Sequence, residues 1–101
     1  MKIEWTEPAI SDLDNLREYI ARDSEYYADL FVEKIIAAVE NIEEFPEIGR
    51  IVPEAEERNI REILFHNYRI VYRIEAERIL ILMVIPGSRD LTRKKPRWEI
   101  I

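Results

Sequence analysis

Three arginines and one glutamate occupy positions from which they could act together on an anion. Arg69 and Arg73 lie on one face of the alternating segment Tyr68 to Ile74, Glu62 lies on the preceding segment, and Arg89 follows the next apolar run. The planar guanidinium of arginine has paired donors that fit phosphate and carboxylate oxygens, so the group predicts a site for an anionic partner. The alternative is a surface ion-pair cluster that contributes about 1 kcal/mol or less per pair.

Other kinds of catalytic site are poorly supported by the sequence. The single histidine, His66, lies between two predicted strands, and a turn histidine more often faces solvent than takes part in catalysis. One histidine without cysteine cannot complete a metal site, and no serine has a histidine and an acid near it in sequence. Two glycines are too few for a glycine-rich phosphate loop. We therefore expect neither a metal ion nor a cofactor.

The charge of the chain is divided unevenly. Residues 1–57 carry 16 acidic and 5 basic side chains, a net charge of −11, whereas residues 58–101 carry 5 acidic and 10 basic ones, a net charge of +5. The total of −6 alone would argue against a nucleic-acid partner. The second half nevertheless offers a basic surface for phosphates or an acidic partner, unless the division reflects only solvated faces.

Length and composition predict one domain over residues 1–101, with residues 1–57 and 58–101 as its two parts. Hydrophobic residues make up 48% of the chain, which is enough to form a core, and the absence of cysteine suits a reducing compartment. The longest apolar run, Ile79 to Ile85, is far shorter than the ~20 residues that span a bilayer. We expect a soluble cytoplasmic protein with no membrane contact.

The first part predicts a short opening strand followed by a helical hairpin. Thr6 can cap a first helix that begins at Glu7 and Pro8, and Ser24 can cap a second, longer helix that ends at Phe45 and Pro46. Apolar residues recur at helical spacing in both segments: Ala9, Leu13, Leu16 and Ile20, then Ala28, Phe31, Ile35, Val39 and Ile42. The short break between the helices predicts that they are antiparallel.

The second part changes to a period of two residues and predicts a meander of three strands. These are Arg58 to Phe65, Tyr68 to Ile74 and Ile79 to Ile85. A two-residue turn at His66 and Asn67, with a positive φ at Asn67, pairs Phe65 with Tyr68 and therefore Glu62 with Val71. Tyr68, Ile70, Tyr72 and Ile74 then form the face that packs on the helices. We expect the face that carries Glu62, Arg69 and Arg73 to be open.

Six segments in this order resemble the RelE/ParE toxins of toxin-antitoxin systems: WTEPAISDL, REYI, FPEIGR, IREI, YRIVYRI and VIPGSRDL. The resemblance extends from nearly the first residue to about Leu91. It implies an α+β fold in which an N-terminal helical hairpin packs on a small antiparallel sheet. It also implies a toxin that is neutralised by a cognate antitoxin in a hetero-oligomer, and that either cleaves mRNA on the ribosome or poisons DNA gyrase.

The resemblance favours the gyrase activity over RNA cleavage. RelE-like nucleases use a lysine pair, two arginines and a late tyrosine to supply the acid, the base and the cations of the reaction. The two arginines correspond to Arg69 and Arg89, but the lysine positions hold Ile60 and Glu62, and the region of the late tyrosine offers Lys95. A ParE-like toxin needs a binding surface and no catalytic set. We therefore expect a binding protein rather than an enzyme.

Two alternatives stay open. A ribosome-dependent endoribonuclease would use Arg69 and Arg89, with Glu62 as base and His66 as acid. A non-toxic, degenerate member is the other alternative, because Pro86 stands where many relatives have histidine.

The candidate residues of the ParE-like interpretation fall into two groups. Those for the target or for phosphate are Arg61, Arg69, Arg73 and Arg89, and those for the antitoxin are Arg93, Lys94 and Trp98.

Overall fold

The computed structural model of the chain describes residues 1–92 and residue 98. It begins with a short strand and two helices: β1 Lys2–Trp5, α1 Glu7–Ala21 and α2 Glu25–Glu44. Both predicted caps are present, since Thr6 Oγ1 accepts from the Ala9 amide and Ser24 Oγ accepts from the Tyr27 amide. No helix in the described ranges is long and apolar enough to cross a membrane.

The remainder of the described chain is a short 3-10 turn and four strands: η1 Pro46–Ile48, β2 Arg50–Ile51, β3 Ile60–Phe65, β4 Tyr68–Ile74 and β5 Arg78–Pro86. The five strands form one sheet in the order β1-β5-β4-β3-β2, with β1 parallel to β5 and the other pairs antiparallel. The predicted α+β arrangement of a helical hairpin on a sheet is confirmed. The buried strand β5 lies between β1 and β4.

The hairpin of β3 and β4 has the predicted register, with Phe65 opposite Tyr68 and Glu62 opposite Val71. Two details of the prediction were wrong. β3 begins at Ile60 rather than at Arg58, and the positive φ of the turn is at His66, where it measures 54°, rather than at Asn67. Histidine is among the residues that enter this region more readily than most others.

Hydrophobic cores cover both faces of the sheet. The first core joins the helices to the face that carries Ile70 and Tyr72, as predicted. The opposite face was expected to be open, and that expectation was wrong. Val52 and Trp98 pack there against Ile60, Val71, Leu80 and Leu82 and form a second core. The charged residues of this face therefore lie at the edge of a buried cluster.

The buried hydroxyl of Tyr72 holds the turn between α2 and β2. It donates to the Pro46 carbonyl at 2.7 Å and accepts from the Gly49 amide at 3.0 Å. Gly49 has no room for a side chain, because a Cβ atom there would lie 2.6 Å from the Glu62 carbonyl oxygen. The two hydrogen bonds explain the tyrosine at position 72, and the lack of space explains the glycine at position 49.

Tyr72→Phe should destabilise the fold by about 1–3 kcal/mol, because it leaves two backbone groups of the turn without their partner. Urea denaturation of the purified chain measures the change. Tyr26→Phe is the matched control, since Tyr26 is an exposed residue of α2, and it should stay within about 0.5 kcal/mol of wild type. Equal stability of the two variants would contradict this role for the Tyr72 hydroxyl.

Candidate functional site

The predicted pair of Glu62 and Arg69 is buried. Glu62 is 1% exposed and Arg69 is 4% exposed, and Arg69 Nε donates to Glu62 Oε1 at 2.6 Å. The other carboxylate oxygen of Glu62 accepts from Arg50 Nε at 2.6 Å, and the Arg50 side chain is 57% exposed. Strands β3 and β4 position this pair, because Glu62 and Arg69 lie on the same face in neighbouring strands.

Arg69 also connects two loops. Its Nη1 and Nη2 donate to the two carboxylate oxygens of Glu54 at 2.9 and 2.8 Å, a bidentate pair. Nη1 donates in addition to the Arg89 carbonyl at 2.9 Å, and Glu54 accepts from the Leu91 amide at 3.3 Å. The hydrogen bonds from the Arg69 guanidinium hold the pKa of Glu54 at about 2, below its ordinary value of 4.5. The same contacts raise the pKa of Arg69.

These hydrogen bonds and ion pairs limit the chemistry that Arg69 and Glu62 can perform. Arg69 makes four hydrogen bonds inside the molecule, and its guanidinium has five N–H donors in total. A general base must come within about 2.6–3.2 Å of the proton that it removes, whereas Glu62 is enclosed by its two arginines. The arrangement cross-links β3, β4 and two loops.

Arg61 and Arg73 are also engaged within the molecule. Arg61 Nη1 donates to the Gly49 carbonyl at 3.0 Å, and Arg61 Nε donates to the Arg58 carbonyl at 3.0 Å. Arg73 pairs with Glu75 at 2.8 Å and donates to the Trp98 carbonyl at 3.3 Å. The predicted fork of Arg69, Arg73 and Arg89 is therefore not assembled as a set of free guanidinium groups.

His66 is not brought together with Glu62. Its ring lies 4.6 Å from the ring of Phe65 and 5.5 Å from the ring of Phe31, a residue of α2. Phe31 and Phe65 both pack against the first core, on the helical side of the sheet, whereas Glu62 points to the other side. An acid-base pair of these two residues would have to act through the sheet.

The predicted antitoxin residues are described in part. Trp98 is 9% exposed and packs in the second core, so its ring is already occupied within the molecule. Trp98 therefore covers the face of the sheet that lies opposite the helices. Arg93 and Lys94 lie outside the described residues.

Arg89 differs from the other predicted arginines. It is exposed, and its side chain makes no hydrogen bond or ion pair with the residues described. It lines a groove of about 430 Å³ between α1 and the ends of β4 and β5, which we call the Arg89 groove and which also includes Asp12, Asn15, Leu16, Tyr19 and Tyr68. Here an arginine, two tyrosines and an asparagine surround one concave surface.

Of the groove residues, sequence reasoning predicted Arg89 alone as a site residue, and Asp12 and Tyr19 are among those that it missed. Asp12 accepts from the Val84 amide at 3.0 Å and so fixes α1 against the end of β5. Tyr19 is 64% exposed. The signal for Tyr19 was its place outside the helical apolar stripe of Leu13, Leu16 and Ile20. For Asp12 no signal existed, because its partner lies 72 residues away.

The chain belongs to the ParE toxin family of type II toxin-antitoxin systems. The family model that matches it is that of the "ParE toxin of type II toxin-antitoxin system, parDE", and the match covers residues 3–91. The resemblance that the sequence motifs indicated is thereby confirmed at the level of the family. No curated protein sequence matches the chain.

Solved structures support the same fold. A chromosomal ParDE toxin-antitoxin structure from P. aeruginosa is similar with a TM-score of 0.74 and 22% identity, over 87% of this chain and 97% of that one. A YoeB/ParE toxin from Agrobacterium tumefaciens is similar with a TM-score of 0.61 and 20% identity, over 85% of this chain and 98% of that one. At these identities the likeness concerns the fold alone.

Proposed function

We propose that the chain is a toxin that acts in the cytoplasm by binding DNA gyrase, and that a cognate antitoxin neutralises it in a hetero-oligomer. Membership of the ParE family supports the toxin-antitoxin part of this proposal. The choice of gyrase rests on the resemblance to ParE-like toxins and on the burial of the residues that a ribonuclease would need.

The burial of Glu62 and Arg69 is the observation that carries the choice of binding over RNA cleavage. A ribonuclease needs a base at the 2′-hydroxyl and cations at the phosphate in the transition state. Here the candidate base and the candidate cation neutralise each other at 2.6 Å inside the molecule. Exposing them would require breaking this buried ion pair.

Arg89 is the residue that we assign to target binding among the four predicted arginines. Its guanidinium is exposed and has a concave surface beside it, and arginine and tyrosine are the residues that most often dominate protein interfaces. Arg61, Arg69 and Arg73 instead stabilise the fold. Arg69 in addition fixes the backbone of Arg89 through its carbonyl.

Arg89→Glu should lower gyrase inhibition by about tenfold or more, because it reverses the charge of an exposed interface residue. The measurement is the toxin concentration that halves DNA supercoiling by purified gyrase. Growth arrest on expression in bacteria should weaken in parallel. The stability of the fold should change by about 0.5 kcal/mol or less.

Lys34→Glu is the control, because Lys34 is an exposed cation on α2 and the substitution makes the same change in net charge. It should inhibit gyrase as wild type does. Wild-type inhibition by Arg89→Glu would contradict the assignment of Arg89. A folded wild-type chain that inhibits neither supercoiling nor growth would support a degenerate member of the family instead.

A further inference from the structure

A second groove lies at the other end of β4 from the Arg89 groove. It is an open groove with a volume of about 760 Å³. We call it the α2-end groove, and its apolar lining is Met1, Phe45, Pro46, Ile48 and Ile74. Tyr68 lines the Arg89 groove and Ile74 lines this one, so six residues of strand, about 20 Å, separate the two. The α2-end groove is therefore a separate surface.

Two large apolar side chains of this groove are exposed on a turn that is held in place. Phe45 is 58% exposed and Ile48 is 59% exposed. The turn that carries them cannot collapse inward, because the Tyr72 hydroxyl fixes it through Pro46 and Gly49. Exposed apolar side chains that are grouped at a concave surface with charged neighbours are typical of protein interaction sites.

The charged side chains that line the groove are acidic. Two exposed glutamates, Glu44 and Glu47, line it, and no basic side chain does so within the described part of the chain. Glu44 is also the last residue of α2, where the helix dipole is negative and a lysine or arginine is usually favoured, yet the last turn has no basic residue. Arg61 reaches the 3-10 turn that follows α2, where its guanidinium donates to the Gly49 and Glu47 carbonyls.

The negative charge of these glutamates determines which kind of partner can bind in the α2-end groove. A second copy of the chain would bring the same glutamates together, and like charges placed close together are destabilising. A partner with lysine or arginine beside its apolar residues would instead find carboxylates and the negative end of a helix. The lysines or arginines of such a partner would offset the negative charge at the end of α2.

We propose that the α2-end groove binds a basic amphipathic segment of a partner protein. Two large apolar side chains of the segment contact Phe45 and Ile48, and its lysines or arginines pair with Glu44 and Glu47. The segment follows the helix-in-groove mode of peptide recognition. This site is separate from the Arg89 groove, to which target binding is assigned above.

The test uses a synthetic peptide of leucine and lysine, with the leucines at three- and four-residue spacing so that they form one helical face. Its affinity for the full chain, without residues added before Met1, is measured by calorimetric titration. Ile48→Glu should weaken binding by about tenfold or more, since it removes an apolar anchor. Glu44→Lys with Glu47→Lys should weaken it to a similar extent.

Two controls separate recognition from general attraction between opposite charges. Glu18→Lys with Glu25→Lys makes the same change in net charge near the start of α2, about 30 Å from its end at ~1.5 Å per residue, and should leave the affinity unchanged. A peptide with glutamate in place of lysine should not bind. Equal affinity for all variants, or no binding of the leucine-lysine peptide to the wild-type chain, would overturn the proposal.

Discussion

Arg69→Met should destabilise the fold by about 3–5 kcal/mol, because it leaves the buried carboxylate of Glu62 without its buried partner. A loss of this size is a large part of the ~5–15 kcal/mol that stabilises a typical domain. Urea denaturation, followed by circular dichroism, measures it. The expected result defines Arg69 as a structural cross-link of β3, β4 and the two loops that carry Glu54 and Arg89.

Two further variants test the cause of this loss. Arg50→Met removes the other arginine on Glu62, but that side chain is 57% exposed and water can replace it, so we expect a cost of about 1 kcal/mol or less. Glu62→Met combined with Arg69→Met should recover most of the stability, since apolar residues can replace a buried ion pair with little cost. A loss under about 1 kcal/mol for Arg69→Met alone would contradict the role of the pair.

Acid should destabilise the chain in a pH range that Glu54 sets. The pKa of Glu54 is lowered to about 2 in the fold by the hydrogen bonds from Arg69, against an ordinary value of 4.5. A group whose pKa is lower in the folded state contributes stability above its unfolded pKa and loses it as the pH falls through the folded one. The contribution should therefore disappear between about pH 4.5 and pH 2.

Glu54→Gln tests this prediction through the free energy of unfolding as a function of pH. The variant should be less stable than wild type at pH 7, and the difference should shrink toward pH 2. Glu57→Gln, an exposed residue of the same loop, is the control and should follow the wild-type profile. Parallel profiles for wild type and Glu54→Gln would show that the Arg69–Glu54 pair contributes nothing that depends on pH.

The hairpin of β3 and β4 could be predicted from the sequence because its turn is two residues long. A turn of that length fixes Phe65 opposite Tyr68, and the period of the strands then assigns every side chain to a face. The two helices could be predicted for a similar reason, since their caps at Thr6 and Ser24 are local. These signals depend on residues near one another in the chain.

The burial of Arg69 and its pairing with Glu54 could not be predicted in the same way. Arg69 was correctly placed on the face away from the helices, but its partners outside the sheet belong to the loops that carry Glu54 and Arg89, which lie 15 and 20 residues away in the sequence. Its second partner, Glu54, lies in an irregular loop 15 residues away, where no periodicity assigns a direction. Charge pattern alone therefore could not distinguish an open arginine fork from a buried cross-link.

We propose that this toxin acts by binding its target and not by cutting RNA. The most direct test compares two activities of one preparation of the purified chain: inhibition of supercoiling with trapped cleavage complexes on DNA gyrase, and mRNA cleavage on programmed ribosomes. We predict gyrase inhibition without RNA cleavage. Cleavage at defined codon positions on ribosomes, with gyrase unaffected, would contradict the account and would require Glu62 and Arg69 to leave their buried pair.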